Sequence, residues 1–574
     1  MSSSHSIILS FKNNKSQIAT ITIASTLFVL VSYIIFINFS YYWDFLHSDI
    51  VADLAFIREA ASSFSLFPYG WAHINEMRFI YITTIAIPFY WITSNVHAAY
   101  SLAVSFMLIT NLALFYYMLS FKKRNIVAVL TGAIIFLIFF SRYTMFSTFS
   151  ILFVNGTLST HLATIFLTLG VYLRIKCKTS TNFKWEKALW IITLLLAFAQ
   201  GIQSPRMIVV LYTPLFFIEL LPILRSMSNK ETKMKGLGLL YALAAFLLNA
   251  AGMMFVNLLT SSGAIVLEEA GITSGSSIVN TNQFIERILQ SITTLFYTFG
   301  LIGGNELFST EGLVFVIRIG FIIAIVFIYK SINKDAADKN LVDILMTTVV
   351  FSVLSQALIF LGMGERFNLT ATSLIAVMFV ISLCNIIEEI GVKKIASNDN
   401  EQDITSKRSI YGVFASGFEP QIIQKCLAGG LVIMVLVGAL LSVNALGLER
   451  HRNSNLIADR QRVVDFLEEQ NLTVGYGAFW QSLAITGVAN WEAVVIPFHS
   501  NHGVVGRPLR QGVAHSDFFH NEERVFLIGS VSHLEEAYDH DRMGPILQQG
   551  ERHDLPGSWV VYIFDFNPWA EFKQ

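Results

Sequence analysis

Nearly unbroken apolar stretches, separated by short polar connections, fill the first 446 positions of the chain. A bilayer core is crossed by roughly 17 to 25 consecutive apolar residues. Eleven segments reach or approach that length, at about 18–39, 97–120, 126–141, 158–175, 187–202, 207–224, 237–258, 312–329, 341–361, 367–390 and 423–446, and each is expected to form a spanning helix. The first is expected to stay as an anchor, because its apolar run exceeds the roughly 7 to 15 residues of a secretion signal's core and no small-x-small site precedes Tyr41. Two more segments, 78–93 and 284–303, are apolar enough to compete as crossings.

Charge decides against both. Inner loops of membrane proteins collect lysine and arginine. With eleven crossings and a cytoplasmic N-terminus, 18 of the 19 lysines fall inside, and the outer loops hold only arginines (Arg58, Arg78, Arg142, Arg206, Arg287, Arg366), with Lys573 in the tail. Letting both extra segments cross inverts most of this partition, so they are expected in the outer interface as juxtamembrane or re-entrant helices. Three sizeable outer pieces result: a long first outer loop 40–96, a loop 259–311 and a tail from 447.

That tail differs from the rest. It holds 8 of the 13 histidines and no spanning run. A helical stretch at 456–470 precedes short apolar runs at 472–476, 493–497, 525–529 and 559–565, a pattern that predicts a small α/β unit. The expected organisation is a polytopic α-helical membrane domain over 1–446 and an extracytoplasmic α/β domain over 447–574.

Composition agrees with this division. Hydrophobic residues make up 54% of the 574 and charged residues 14%, against about 25% charged in soluble domains, and mean hydropathy is +0.58. Lys+Arg (39) and Asp+Glu (40) nearly cancel, so no bulk basic field exists to attract nucleic acid. Cys177, Cys384 and Cys426 are too scattered for a disulfide framework or a CxxC metal site and read as small core residues. His499, His502, His515 and His520 fit zinc spacing only loosely and read as a hydrated loop.

Signatures of soluble enzymes are missing from the sequence: it has no GxxxxGK[ST], HExxH or GxSxG and no kinase set. The chemistry-bearing stretch is the first outer loop, YYWDFLHSDIVADLAFIREAASS (41–63) followed by PYGWAHINEMRF (68–79). Asp49 and Asp53 lie four apart on one helical face, with Ala52 and Phe56 on the apolar side. A carboxylate partly desolvated at a membrane surface suits a general base or a metal ligand. The same spacing equally describes an interfacial helix whose acids merely face water. Asp44 is the alternative acid, and His73 and Glu76 are candidate sugar or acceptor contacts.

A first helix that delivers an acid into a long outer loop, followed by juxtamembrane helices, many spans and a C-terminal outer domain, resembles the GT-C class of integral-membrane glycosyltransferases. That class includes protein mannosyltransferases, the aminoarabinose transferase of lipid A and oligosaccharyltransferase catalytic subunits, which draw sugars from polyprenyl-phosphate or polyprenyl-diphosphate donors. HSDIVADLAFIREA, PYGWAHINEMRFIYITTIAIPFYWI and LTVGYGAFWQSLAITGVANWEAVVIPF look like stretches of bacterial GT-C-like proteins of about this size. The resemblance implies that Asp49 is the first-loop acid, acting as base or metal ligand, with Asp44 as substitute. It leaves the metal unassigned, because the loop 142–161 carries no acidic residue where oligosaccharyltransferases have a second acidic motif.

Guanidinium groups grip phosphate bidentately and keep their charge at a bilayer edge. Arg206 in GIQSPR and Arg366 in GMGERFN, each expected at an outer helix end, are therefore candidate donor-phosphate ligands, with snorkelling or ion pairing as the plain alternative. The expected function is transfer of a sugar from a polyprenyl-phosphate donor to an envelope glycan, lipid or protein acceptor at the outer face of a bacterial cytoplasmic membrane. The alternatives are a transporter or flippase of lipid-linked glycan, a polysaccharide polymerase or ligase, and a non-catalytic scaffold. The topology is open to a direct check: a cysteine at position 123 should resist a membrane-impermeant thiol reagent in intact cells and react after permeabilisation, and labelling from outside would overturn it.

Overall fold

The computed structural model describes residues 2–40, 46, 48–66, 68, 71–74, 77–122, 124, 126–139, 152–153, 156–177, 183–229, 236–268, 281–298, 336–358, 371, 373–378, 380–381, 456–497, 523–538 and 543–569. The expected spans 312–329 and 423–446 lie outside these residues, as do Asp44, Glu76, Arg366, Cys384, Cys426 and the histidine-rich stretch 499–520.

Helices dominate. In chain order they begin with α1 (Ser2–Ser40), α2 (Ser48–Ser63), α3 (Ile82–Thr93), α4 (Val96–Leu119), α5 (Ile126–Phe139) and α6 (Ser159–Cys177). There follow α7 (Phe183–Gln203), α8 (Thr213–Asn229) entered through a π-helical turn at Ile208–Tyr212, α9 (Leu237–Ser261), α10 (Thr281–Thr298) and α11 (Ala336–Leu358). Among the described residues, Thr20–Ser40, Val96–Leu119, Trp185–Gln203 and Leu237–Ser261 are long and apolar enough to cross a membrane. The competing segment 78–93 becomes α3, only 12 residues long with Pro88 inside it. The other, 284–303, overlaps the amphipathic α10.

In lipid, apolar surface does not drive helices together, so close packing and interhelical hydrogen bonds must do so. The α7–α9 contact uses both. A Cβ on Gly201 would stand 2.0 Å from the Asn249 carbonyl oxygen, and one on Gly252 would stand 2.1 Å from that of Phe198, so the two backbones touch where no side chain intervenes. Asn249 Nδ2 donates to the Ala197 carbonyl at 2.7 Å, and Tyr241 OH to Thr193 Oγ1 at 2.9 Å. Elsewhere Asn111 Nδ2 donates to the Ser159 carbonyl, tying α4 to α6. At the end of α6, Lys176 Nζ donates to Glu219 Oε1 at 2.7 Å, and Tyr172 OH shares that carboxylate.

At one end of the bundle sits a different layer. Strand β1 (Ala72–Ile74) pairs in parallel with β2 (Val266–Glu268), joining the first loop to the segment after α9. Helix α2 is buried on nearly every side, in an apolar cluster with Trp71, with Ile82, Ala86 and Ile87 of α3, and with Tyr100, Val104 and Met107 of α4. It is not a helix lying half in water.

The C-terminal segment forms a five-stranded mixed sheet. A helix at 456–469, α12, leads into β3 (Val474–Gly477), α13 (Phe479–Val488), β4 (Val494–Pro497), β5 (Val525–Ser530), α14 (Val531–Tyr538), α15 (Gly544–Leu547), β6 (Glu551–Leu555) and β7 (Trp559–Phe564). The order is β4-β3-β5-β7-β6, with parallel pairs among the first three and antiparallel pairs at β5-β7 and β7-β6. Four of these strands fall on the apolar runs read from the sequence. The fifth, β6 (ERHDL), is largely exposed and charged, as an edge strand that must not recruit partners is built, and so gave no apolar signal. Tyr476 is core, its ring 4.3 Å from that of Trp569.

Because α7 and α9 meet backbone to backbone, Gly252→Val has no room to relax into. Overpacking of this kind costs about 1–3 kcal/mol, so the variant should show a clearly lowered Tm in detergent, whereas Gly236→Ala, with open space around it, should not. Equal Tm values for the two variants would contradict the contact.

Candidate functional site

The site is built on α2. Its first turn carries Asp49, half-buried, where the helix N-terminus favours negative charge. One turn later comes Asp53, which is sealed in. Its Oδ1 accepts a hydrogen bond from Arg78 Nε at 2.5 Å, with the two side chains only 2% and 12% exposed. Arg78 is brought there by main-chain ties. Met77 N donates to the Gln203 carbonyl at 3.0 Å, Ile80 N donates to Gln203 Oε1 at 2.9 Å, and Thr84 Oγ1 donates to the Arg78 carbonyl at 2.8 Å. Thr160 Oγ1 of α6 donates to the Ile80 carbonyl at 3.0 Å. The segment 77–80 is thus splinted between α2, α6 and the end of α7.

Burial works against both charges. It pushes the Asp53 carboxyl up from 3.8 to about 6, with the nearby Asp49 charge adding to the rise and Arg78 pulling it back by attraction and hydrogen bonding. Burial also disfavours the Arg78 cation, but the opposing charges of Asp53, Tyr81 and Asp49 outweigh it and its pKa stands above the ordinary value. At neutral pH the pair is therefore ionised. Asp53 spends its charge on Arg78, and Asp49 is the carboxylate that keeps access to solvent.

Of the residues singled out in the sequence, the structure places Asp49 and Arg206 at this end of the bundle. Arg206 is half-buried in the turn after α7, its amide donating to Ser204 Oγ at 3.2 Å, three residues past the glutamine that anchors the Arg78 segment. The backbone of His73 lies in β1 opposite Leu267. Asp44, His47, Glu76 and Arg366 are outside the described residues. His161 is buried near the start of α6. Among the described residues no group of three or more His, Cys, Asp or Glu comes together to hold a metal ion.

The Asp53–Arg78 pair was not foreseen. Both residues were visible, one as the second acid of α2 and the other as an outer-side arginine, but nothing in a periodic pattern joins positions 25 apart. The buried pair also removes one plain alternative: Asp53 does not face water.

Comparison with known proteins bears on the fold. The chain superposes on the crystal structure of ArnT from Cupriavidus metallidurans bound to undecaprenyl phosphate with a TM-score of 0.53, over 96% of this chain and 100% of that one, at 10% sequence identity. The apo state of the same protein gives 0.51 at 9% identity, with the same coverage. No protein-family model and no curated protein matches the sequence. At such identity the likeness is one of fold. This is a membrane protein with the GT-C-like fold that the sequence resembled.

A raised acid pKa has a definite sign in stability. Between about pH 4 and 6 the unfolded chain has released the Asp53 proton while the folded chain still holds it, so rising pH removes stability across that window. The Tm of the parent relative to Asp53→Asn should fall as pH rises from about 4 to 6 and level off above. A difference that does not change with pH would contradict the assignment.

Proposed function

We propose that this chain, on its ArnT-like fold, is a glycosyltransferase that moves a sugar from a polyprenyl-phosphate donor to an acceptor hydroxyl or amine of an envelope glycan, lipid or protein. The observation that carries the reading is a half-exposed acid on α2, one turn before the carboxylate that holds Arg78, at the end of the bundle where the turn after α7 also brings Arg206. The undecaprenyl phosphate named for the ArnT structure supports a lipid phosphate as the donor's carrier.

In this reading the acceptor's lone pair attacks the anomeric carbon while the bond from that carbon to the phosphate oxygen breaks. The polyprenyl phosphate leaves with the bonding electrons, and the acceptor's proton passes to the Asp49 carboxylate. One more negative charge accumulates on the departing phosphate than on the bound donor, so cations held in place beforehand favour the transition state over the ground state. Arg78 joins Arg206 in this role: a guanidinium whose Nε is committed to Asp53 is held in a single orientation, and its side chain is not wholly enclosed. Arg366 is retained as a third phosphate ligand, and His73 and Glu76 as sugar or acceptor contacts. The lysine partition supports a reading in which this end of the bundle faces the outer side of the cytoplasmic membrane, with eleven spans over 1–446 and the tail from 447 outside.

The reading is tested with purified protein and a panel of polyprenyl-phosphate sugars. Asp49→Asn keeps size and hydrogen bonding but cannot take a proton, so turnover should fall by about 10²–10⁴ while undecaprenyl-phosphate binding is retained. Arg78→Lys and Arg206→Lys should instead weaken that binding, since a lysine lacks the bidentate fork. Asp49→Asn turning over at the parent rate would sink the base assignment, and loss of activity in Asp44→Asn alone would move it to Asp44.

A further inference from the structure

The C-terminal sheet does not stand apart from α2. Helix α13 lies against it: Leu483 joins the apolar cluster that encloses α2, and a Cβ on Gly487 would stand 2.4 Å from Val51 Cγ2. Two polar or aromatic contacts accompany this packing. From α12, Arg460 reaches back across 414 residues of sequence and donates from Nη1 to the Leu46 carbonyl at 2.7 Å. At the other end of α13 the chain turns through Asn490 and Trp491 with φ of 48° and 66°, a region that bulky L residues seldom adopt. That turn sets the Trp491 ring 4.5 Å from the Arg58 guanidinium of α2 and 6.0 Å from the ring of His97 at the start of α4.

Arg460 is an expensive residue for mere docking. It is 8% exposed, and its Nε is buried with no hydrogen-bond partner among the described residues. Burial alone lowers its pKa, to about 10. A buried cation resting on a main-chain carbonyl costs more than an apolar side chain of the same length in that space. What it touches is the stretch that opens α2, three residues before Asp49. Trp491 touches the same helix at Arg58, nine residues past Asp49. Between them the two contacts bracket the acid.

We propose that the C-terminal unit is a working part of the acidic site, with Arg460 and Trp491 as positioning residues that hold α2 on either side of Asp49 and so aim its carboxylate. The consequence for turnover rests on the glycosyl-transfer reading; the consequence for α2 does not. Neither residue touches the reacting atoms. Each acts by restricting where α2 sits.

The experiment uses the full chain in detergent and has two arms. Hydrogen exchange is followed at α2 and, as an internal reference, at β5 and β7. Arg460→Met and Trp491→Ala should each speed exchange of the 48–58 amides by about tenfold or more while β5 and β7 stay protected. Unchanged exchange in α2 overturns the proposal, and so does acceleration shared equally by the sheet, which would make these residues supports of the tail's own core. In the second arm, transfer from a polyprenyl-phosphate sugar should show kcat reduced by up to about a hundredfold, donor KM within about twofold, and partial recovery in Arg460→Lys, which restores the cation. A loss confined to KM would overturn the positioning role. If the parent transfers no sugar, the functional reading fails while the exchange arm still decides whether the tail holds α2.

Discussion

A carboxylate and a guanidinium buried against one another constrain everything around them at the site. Taking either charge out of water is costly, and a buried pair that loses one member leaves the other stranded at a cost of about 3–5 kcal/mol. Asp53 and Arg78 therefore have to arrive together, and the structure shows how. Gln203 uses its backbone carbonyl and its side-chain oxygen on either side of Arg78, while Thr84 and Thr160 occupy neighbouring carbonyls. The end of α7, the start of α6 and the segment that precedes α3 are held in one arrangement so that the pair can exist.

Among the apolar helices the problem is different, because lipid is as apolar as leucine and burying more apolar surface gains little. The described helices meet through absent side chains and through short polar contacts. Gly201 and Gly252 let α7 and α9 touch, and Asn249, Tyr241 and Asn111 bind to carbonyls or hydroxyls across helix boundaries. This packing sets the position of Gln203, at the tip of α7, and with it the segment that carries Arg78.

Helix α2 is where the two constructions join. One side rests on α3 and α4, its second turn is pinned by Arg78, and the C-terminal sheet closes over it through Leu483, Gly487, Arg460 and Trp491. Asp49, in the first turn, keeps exposure within this enclosure.

Much of this protein was legible in its sequence. Apolar length announced the four described helices long enough to cross a membrane, because the thickness of hydrocarbon permits few solutions. Four short runs of β-branched and aromatic residues announced the buried strands of the tail, whereas β6, charged on an exposed edge, carried no such mark. The acids of the first loop were recognisable as a helical pair, which α2 carries in its first two turns. Local pattern could not say that Asp53 would be enclosed and Asp49 only half-buried, that Asp53 would take Arg78 as its partner, or that Arg460 would rest on the Leu46 carbonyl. The physical reason is that periodicity along a chain reports which face of an element is apolar, a property of neighbours. Which two polar groups share one dry volume depends on how distant elements pack, and only the tertiary structure decides that.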